Sequence, residues 1–485
     1  MQVVGMGIDY STGTLLQDFV DEQELAERFM ESIKQNAEEI NSLARSSKIA
    51  LNIRVAGSKP SINYNNPREA GWTYLVNEND PQRHDIIREI SPLAEHRGME
   101  HPEQPLIFSD ETLFEWDSWL LSKYKSPEQP DRQPPHYILV VGGPGQVPFE
   151  FQSHLDIAAS VGRIAFDSIG DLKAYVQKVV RLEEAAEQHD SAAVERKAVF
   201  FATDHGYAIP RTREYPDPTM FSRRHLAQPL AEKVNELGFE ITMLEGENAT
   251  KAQLMASLSG AGPAVVFTAS HGLAVNDIAD LELQRALNGA IICQNAKGES
   301  GLERAGLLSA DDVPLDEPFL EGGVFFQFAC FGYGTPAESD FAHWAGGRKQ
   351  NAQADFVAAL PKKLLAHPRG PVAFIGHLDV AKLRGYTEVT DPDAEAHWST
   401  RREPFDALIN ELLSSYRPAG RAMERMNKSY GERNDTIARI QDLLERNKLT
   451  DTTSFREELV DSYILRNDAK NYMVFGDPAV RPLLP

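Results

Sequence analysis

The chain has 485 residues, 42% of them hydrophobic, with 49 basic against 72 acidic side chains and a net charge of -23; this length predicts about three compact units. Such a charge repels phosphate backbones and anionic membrane surfaces, so neither nucleic acid nor a membrane is an expected partner. The amino terminus, MQVVGMGIDYSTGT, has no basic residue and no long apolar run, which reads as a cytoplasmic protein without signal peptide or membrane span.

In chain order, residues 22–44 predict a helix and IALNIRV (49–55) a strand, followed by a polar stretch rich in Pro and His. SPEQPDRQPP (126–135) carries four prolines and reads as a linker, so residues 1–130 are expected to form an accessory N-terminal region. Beyond it the texture changes to short β-branched or aromatic runs that end in Gly and alternate with helical segments. The runs are YILVVGG, AVFFATDHG, EITMLEG, AVVFTASHG, GVFFQFACFG and PVAFIGHLD. That alternation predicts a doubly wound, mostly parallel α/β sheet. Residues 136–195 are assigned to a first α/β subdomain and 196–485 to a second domain with a helical, charged C-terminal part. Thr250 and Gln253 stand at capping-box spacing, and YMVFGDPAV near the end supplies a last strand.

Reactive groups in parallel sheets gather beyond the carboxyl ends of the strands. Two candidates fall there: His271, closing AVVFTASHG, and Cys330, closing GVFFQFACFG. If their strands are neighbours, imidazole and thiol share one crevice, where the imidazole can take the thiol proton or stabilise the thiolate. Gly272 and Gly332 let backbone approach a substrate, and the amides of Gly272 and Cys330 are candidate oxyanion donors. A cysteine in an apolar strand is more often an inert hydrophobe, which is the reading for Cys293; the Gly-rich exit and the matching His-Gly favour reactivity for Cys330. His205, in the echoing AVFFATDHG, is read as a pocket or structural residue.

The ordered set T-A-S-H-G then A-C-F-G resembles the caspase-like cysteine peptidases of clan CD. YILVVGGPGQVPFEFQ, AASVGRI, FACFGYGTP and FGDPAVR resemble segments of its bacterial CHAT-domain and gingipain-like branch. The resemblance covers roughly residues 135–485. It implies a caspase-like fold, Cys330 as nucleophile and His271 as its acid–base partner, with no metal or other cofactor. It also implies a zymogen in a regulated bacterial stress or defence pathway, with protein substrates and an upstream activating protein or protease as partners. In such folds the loops after particular strands line the pocket for the residue before the scissile bond. Here they offer Asp204 and Asp379, acids that would select Arg or Lys; a carboxylate that merely caps a turn is the alternative. GGRKQN, with Arg348 and Lys349, reads as a processing loop, or as one never cut. Two other functions stay open: a catalytically inactive scaffold for protein recognition, and a cysteine transpeptidase or acyltransferase.

GGPGQ lacks the Gly-Lys-Ser/Thr of a phosphate loop. No His-Glu-x-x-His, Cys-x-x-Cys or Gly-x-Ser-x-Gly occurs, which argues against zinc and serine hydrolase chemistry.

Overall fold

The computed structural model describes residues 2–3, 5–16, 20–57, 59, 61–109, 116–125, 133–188, 195–206, 217–260, 262–298, 301–342, 350–389, 398–446 and 453–484. Ten strands form the main sheet: β1 (Trp72–Asn77), β2 (Leu106–Phe108), β3 (Tyr137–Val141), β4 (Ser160–Ile164), β5 (Glu195–Ala202), β6 (Glu240–Glu245), β7 (Pro263–Ala269), β8 (Val324–Phe328), β9 (Ala373–His377) and β10 (Tyr472–Gly476). Their spatial order is β2-β1-β3-β4-β10-β9-β8-β7-β5-β6. Every pairing is parallel except β10 with β9. Two parallel half-sheets of opposite direction therefore meet at the C-terminal strand. The expected fold class holds: a doubly wound, mostly parallel α/β sheet flanked by helices.

Central strands read as unbroken apolar runs because both faces are covered. Tyr137–Val141, Pro263–Ala269 and Val324–Phe328 are buried at every position. Helices supply the cover: Ile169–Glu187 lies against Arg83–His96, and Glu424–Glu445 against Thr453–Asn471 and Ala37–Gly57.

The stretch before the proline-rich linker differs from its expectation in two ways. IALNIRV is not a strand; it lies within the helix Ala37–Gly57. There Ala50 and Ile53, three apart and so on one helical face, are buried in a cluster with Leu155, Ile157 and Tyr430. In addition WTYLVN forms β1, which pairs in register with β3 across the linker (Trp72 with Tyr137, Leu75 with Val140). The N-terminal region is thus part of the same sheet as the segments that follow it.

Helix starts follow the local chemistry. Thr250 Oγ1 accepts from Gln253 N–H at 3.4 Å at the head of Lys251–Leu258, and Asp217 accepts from Thr219 N–H at 3.0 Å ahead of Pro218 in the first turn.

Asp156 closes the end of the helix Phe149–Ala158 from inside the core. Its Oδ1 accepts from Val161 N–H at 3.0 Å and Asn427 Nδ2 at 3.1 Å. Burial pushes this carboxyl up to about 8, against the pull of the Val161 amide, Arg54 and Arg163. A folded value above the ordinary ~3.9 means that the fold disfavours the ionised form, so stability falls as pH rises from about 4 through about 8. Asp156→Asn keeps an acceptor and removes the charge. Denaturant unfolding should show the variant more stable at about pH 8 by roughly 1–3 kcal/mol, with little gain at about pH 4.

Candidate functional site

β7 and β8 are adjacent and parallel, with Ala269 opposite Phe328. His271 and Cys330, each two residues past that pair, therefore leave the sheet side by side. The chain approaches itself closely here: a methyl on Gly272 would lie 1.9 Å from the Cys330 carbonyl oxygen and 2.5 Å from its nitrogen. Only glycine fits. Gly272→Ala should push the Cys330 loop out of place, lowering any Cys330-dependent activity by at least about 10²-fold and stability by about 1–3 kcal/mol. Turnover and denaturant unfolding of the same variant report the two losses.

The backbone beyond Cys330 is also constrained. Phe331 sits at φ 58°, in the left-handed region, where a side chain costs free energy and functional loops often store it. Its N–H donates to Asp379 O at 3.1 Å, which ties the turn to the end of β9.

His271 is fully buried. Nδ1 faces Met6 O at 2.9 Å and Nε2 faces Asp217 Oδ1 at 2.7 Å. Both partners only accept, so both ring nitrogens donate. Burial alone would raise the Asp217 carboxyl, but the His271 ring beside it, His205 and Thr219 hold it well below the usual carboxylate range. Thr219 Oγ1 donates to the same oxygen at 2.6 Å, fixing the carboxylate that orients the imidazole. His205 stacks on His271 with ring centroids 5.8 Å apart and planes 15° apart. It packs on the imidazole from the next strand end.

Cys330 is also fully buried. Ala381 N–H donates to Sγ at 3.2 Å. Burial pushes the thiol up to about 12, opposed by Lys382 and the amides of Ala381 and Met6 and helped by Asp379. Lys382 itself is pulled down to about 7 by burial, with Nζ 4.1 Å above the Phe341 ring. The imidazole does not hydrogen-bond the thiol; the Met6 carbonyl occupies Nδ1. Gly272 N–H, a candidate oxyanion donor, points at that same carbonyl oxygen at 3.3 Å.

The two acids expected to select a basic side chain have partners within the fold. Asp204 Oδ2 is held by Arg223 at 2.9 Å, and Asp204 Oδ1 accepts from Gly206 N–H at 3.1 Å. Arg223 in turn bridges to Glu245 at 3.2 Å. Asp379 is fully buried and accepts from Ser339 Oγ and Asp340 N–H at 2.9 Å, Val380 N–H at 2.8 Å and Asn351 Nδ2 at 3.3 Å. Its carboxyl is raised by burial and by Asp340. Asp379 therefore organises the loop after Cys330 and offers no open charge to a ligand. Arg348 and Lys349 lie outside the described residues. Cys293 is buried and its thiol is pushed up to about 12 by burial, as for an inert core residue.

Sequence reading missed Asp217 and Met6. Asp-Pro-Thr at 217–219 is legible as a helix start, but the same carboxylate's second task at the imidazole has no local signature. Met6 arrives from the far end of the chain.

Two solved structures align with most of the chain. One is a complex of the Porphyromonas gingivalis RgpB pro- and mature domains, 14% identical over 86% of this chain and 81% of that one, with a TM-score of 0.44. The other, described as a protease, is 11% identical over 85% of this chain and 78% of that one, also with a TM-score of 0.44. No family model and no curated protein matches the chain. At this similarity the chemistry of the site itself has to carry any functional assignment. Among the described residues no helix is long and apolar enough to cross a membrane.

Proposed function

We propose that the chain is a cysteine endopeptidase of the caspase-like, CHAT or gingipain-like kind, with Cys330 as nucleophile and His271 as its acid–base partner. The observation that carries the reading is that His271, held by the buried Asp217, and Cys330 leave adjacent parallel strands beside the Gly272 amide. A peptide carbonyl placed there meets a sulfur, an imidazole and a main-chain N–H. As the Cys330 sulfur attacks and forms the C–S bond, its proton passes to Nδ1 of the His271 ring in its neutral form, and the collapsing intermediate breaks the C–N bond and expels the amine, which takes that proton from His271. Water then hydrolyses the thioester. Asp217 holds the ring in place and offsets its charge, and Gly272 N–H stabilises the oxyanion.

The test is cleavage of a fluorogenic peptide panel varied at the residue before the scissile bond, with Cys330→Ala alongside. Cleavage that disappears with the thiol supports the reading. Cleavage that survives in Cys330→Ala overturns it, and ligation of an added amine in place of hydrolysis reassigns the same dyad to acyl transfer.

A further inference from the structure

His271 and Cys330 are buried by the chain's own amino-terminal segment, and the manner of burial is specific. Gly5 forms an antiparallel bridge with Lys382. Met6 N–H donates to Ala381 O at 3.0 Å. On the other side Gly7–Asp9 runs parallel to Gly272–Ala274, with Gly7 opposite Gly272. An extended segment is thus paired through its main chain to the loop after β9 and to the strand after His271, which is how a peptide adds to open backbone edges.

The register puts one peptide group at the chemistry. Met6 O receives Gly272 N–H at 3.3 Å and His271 Nδ1 at 2.9 Å, the two donors that would stabilise an oxyanion. A methyl built on Gly7 would lie 3.6 Å from Cys330 Sγ, so the sulfur stands beside the Met6–Gly7 bond. That methyl would also come within 2.5 Å of Leu16 Cδ1, the free end of a side chain that can turn aside. The Met6 side chain is fully buried in the main core cluster. Tyr386 Oη reaches Met6 Sδ at 3.9 Å, and the Tyr386 ring stands edge-on to Phe328 at 5.2 Å.

Resting on the peptidase reading above, we propose that Gly5–Gly7 occupies the substrate cleft as a built-in substrate-like strand. Met6 then fills the pocket that selects the residue before the scissile bond, and this pocket takes a long, unbranched apolar side chain in preference to Arg or Lys. The polar group at the Met6 side chain is the Tyr386 hydroxyl, and Asp204 and Asp379 are committed to the fold. Leaving the cleft hydrates Cys330, and the thiol becomes reactive only then.

The test separates occupancy from catalysis. Met6→Asp forces a charge into the apolar pocket and should expel the strand. Alkylation by iodoacetamide at neutral pH, read by intact mass and peptide mapping, should be at least about tenfold faster at Cys330 than in the native chain. Cys293, buried elsewhere, should stay slow and so reports that the variant is folded. Equal Cys330 rates in the two proteins overturn the occupancy. A second variant covers misfolding: Gly7→Cys, oxidised mildly in the otherwise native chain, should form a disulfide with Cys330 and lose two mass units, as the spacing at residue 7 allows. Two free, alkylatable thiols there overturn the occupancy as well. For the pocket, Met6→Asp is offered peptides with Met, norleucine, Lys or Arg before the bond. Cleavage at least about tenfold faster after Met and norleucine supports the assignment, and faster cleavage after Lys or Arg overturns it. If Cys330 is unmasked yet cuts no peptide, the occupancy stands and the peptidase reading falls.

Discussion

His271→Ala is expected to lower kcat/KM by about 10²–10⁴-fold, the usual contribution of a positioned acid–base group, while His205→Ala costs less than about tenfold. Both substitutions are to be measured in the native chain and in Met6→Asp, so that a closed cleft does not hide the difference. The two imidazoles have almost the same sequence context and stack face to face, yet their partners differ. His271 bonds both Asp217 and the carbonyl lying beside Cys330, whereas His205 acts through packing and through its field on Asp217. Asp217→Asn tests the same geometry one step back. It removes the carboxylate that holds the ring in place, so kcat/KM should fall by about 10²-fold. Equal losses from His271→Ala and His205→Ala, with folding intact, would reverse the assignment.

What could be read from the sequence follows from how far each signal travels along the chain. Strand ends such as TASHG and FACFG declare themselves locally, because an apolar run, a polar residue and a glycine are contiguous. Their adjacency in the sheet adds only the register of β7 and β8. The tail beyond Arg402 was legible for the same reason, and Glu403–Leu413, Glu424–Glu445 and Thr453–Asn471 are its helices. IALNIRV misleads because β-branched residues alternate with polar ones; burial at Ala50 and Ile53 against a neighbouring helix outweighs that preference. WTYLVN was hidden inside a polar stretch. The partners of the candidate site were less legible still. Asp217 reaches His271 across 54 positions and Met6 reaches it across 265. In a short strand such as Gly7–Asp9 there is too little alternation to mark it as one. Asp204 and Asp379 lie at strand ends as expected along the chain, and their partners there, neighbouring amides and Arg223, have no local signature.

Asp477→Ala should cost about 3–5 kcal/mol of stability, the loss usual when one partner of a buried ion pair is removed. Asp477 follows β10, the strand on which the two half-sheets of opposite direction meet, and it is fully buried. Its Oδ2 receives Arg97 Nε at 2.7 Å, and its Oδ1 receives Trp72 Nε1 at 2.9 Å and Ala479 N–H at 3.0 Å. Its own N–H donates to Tyr175 Oη at 2.6 Å, and that hydroxyl donates to Val372 O at 2.9 Å. Through its carboxylate Asp477 thereby joins β1 and the residue after the helix Arg83–His96, and through its N–H the helix Ile169–Glu187 and the segment entering β9. Arg97 also bonds Glu183 Oε1 at 2.8 Å. Burial alone would raise Glu183, but Arg97 and His96 bring it down to about 2. Because that folded value lies below the ordinary ~4.3, the Glu183 contribution is complete above about 4.3 and is lost as pH falls toward 2. Asp477→Ala leaves Arg97 with Glu183 alone and the Trp72 indole N–H without an acceptor. Asp477→Asn keeps an acceptor for Trp72 but not the charge for Arg97, so an intermediate loss is expected. Denaturant unfolding near neutral pH measures both. A loss under about 1 kcal/mol for Asp477→Ala would mean that the β9–β10 ladder alone holds the half-sheets together, and that the FGDP turn merely follows it.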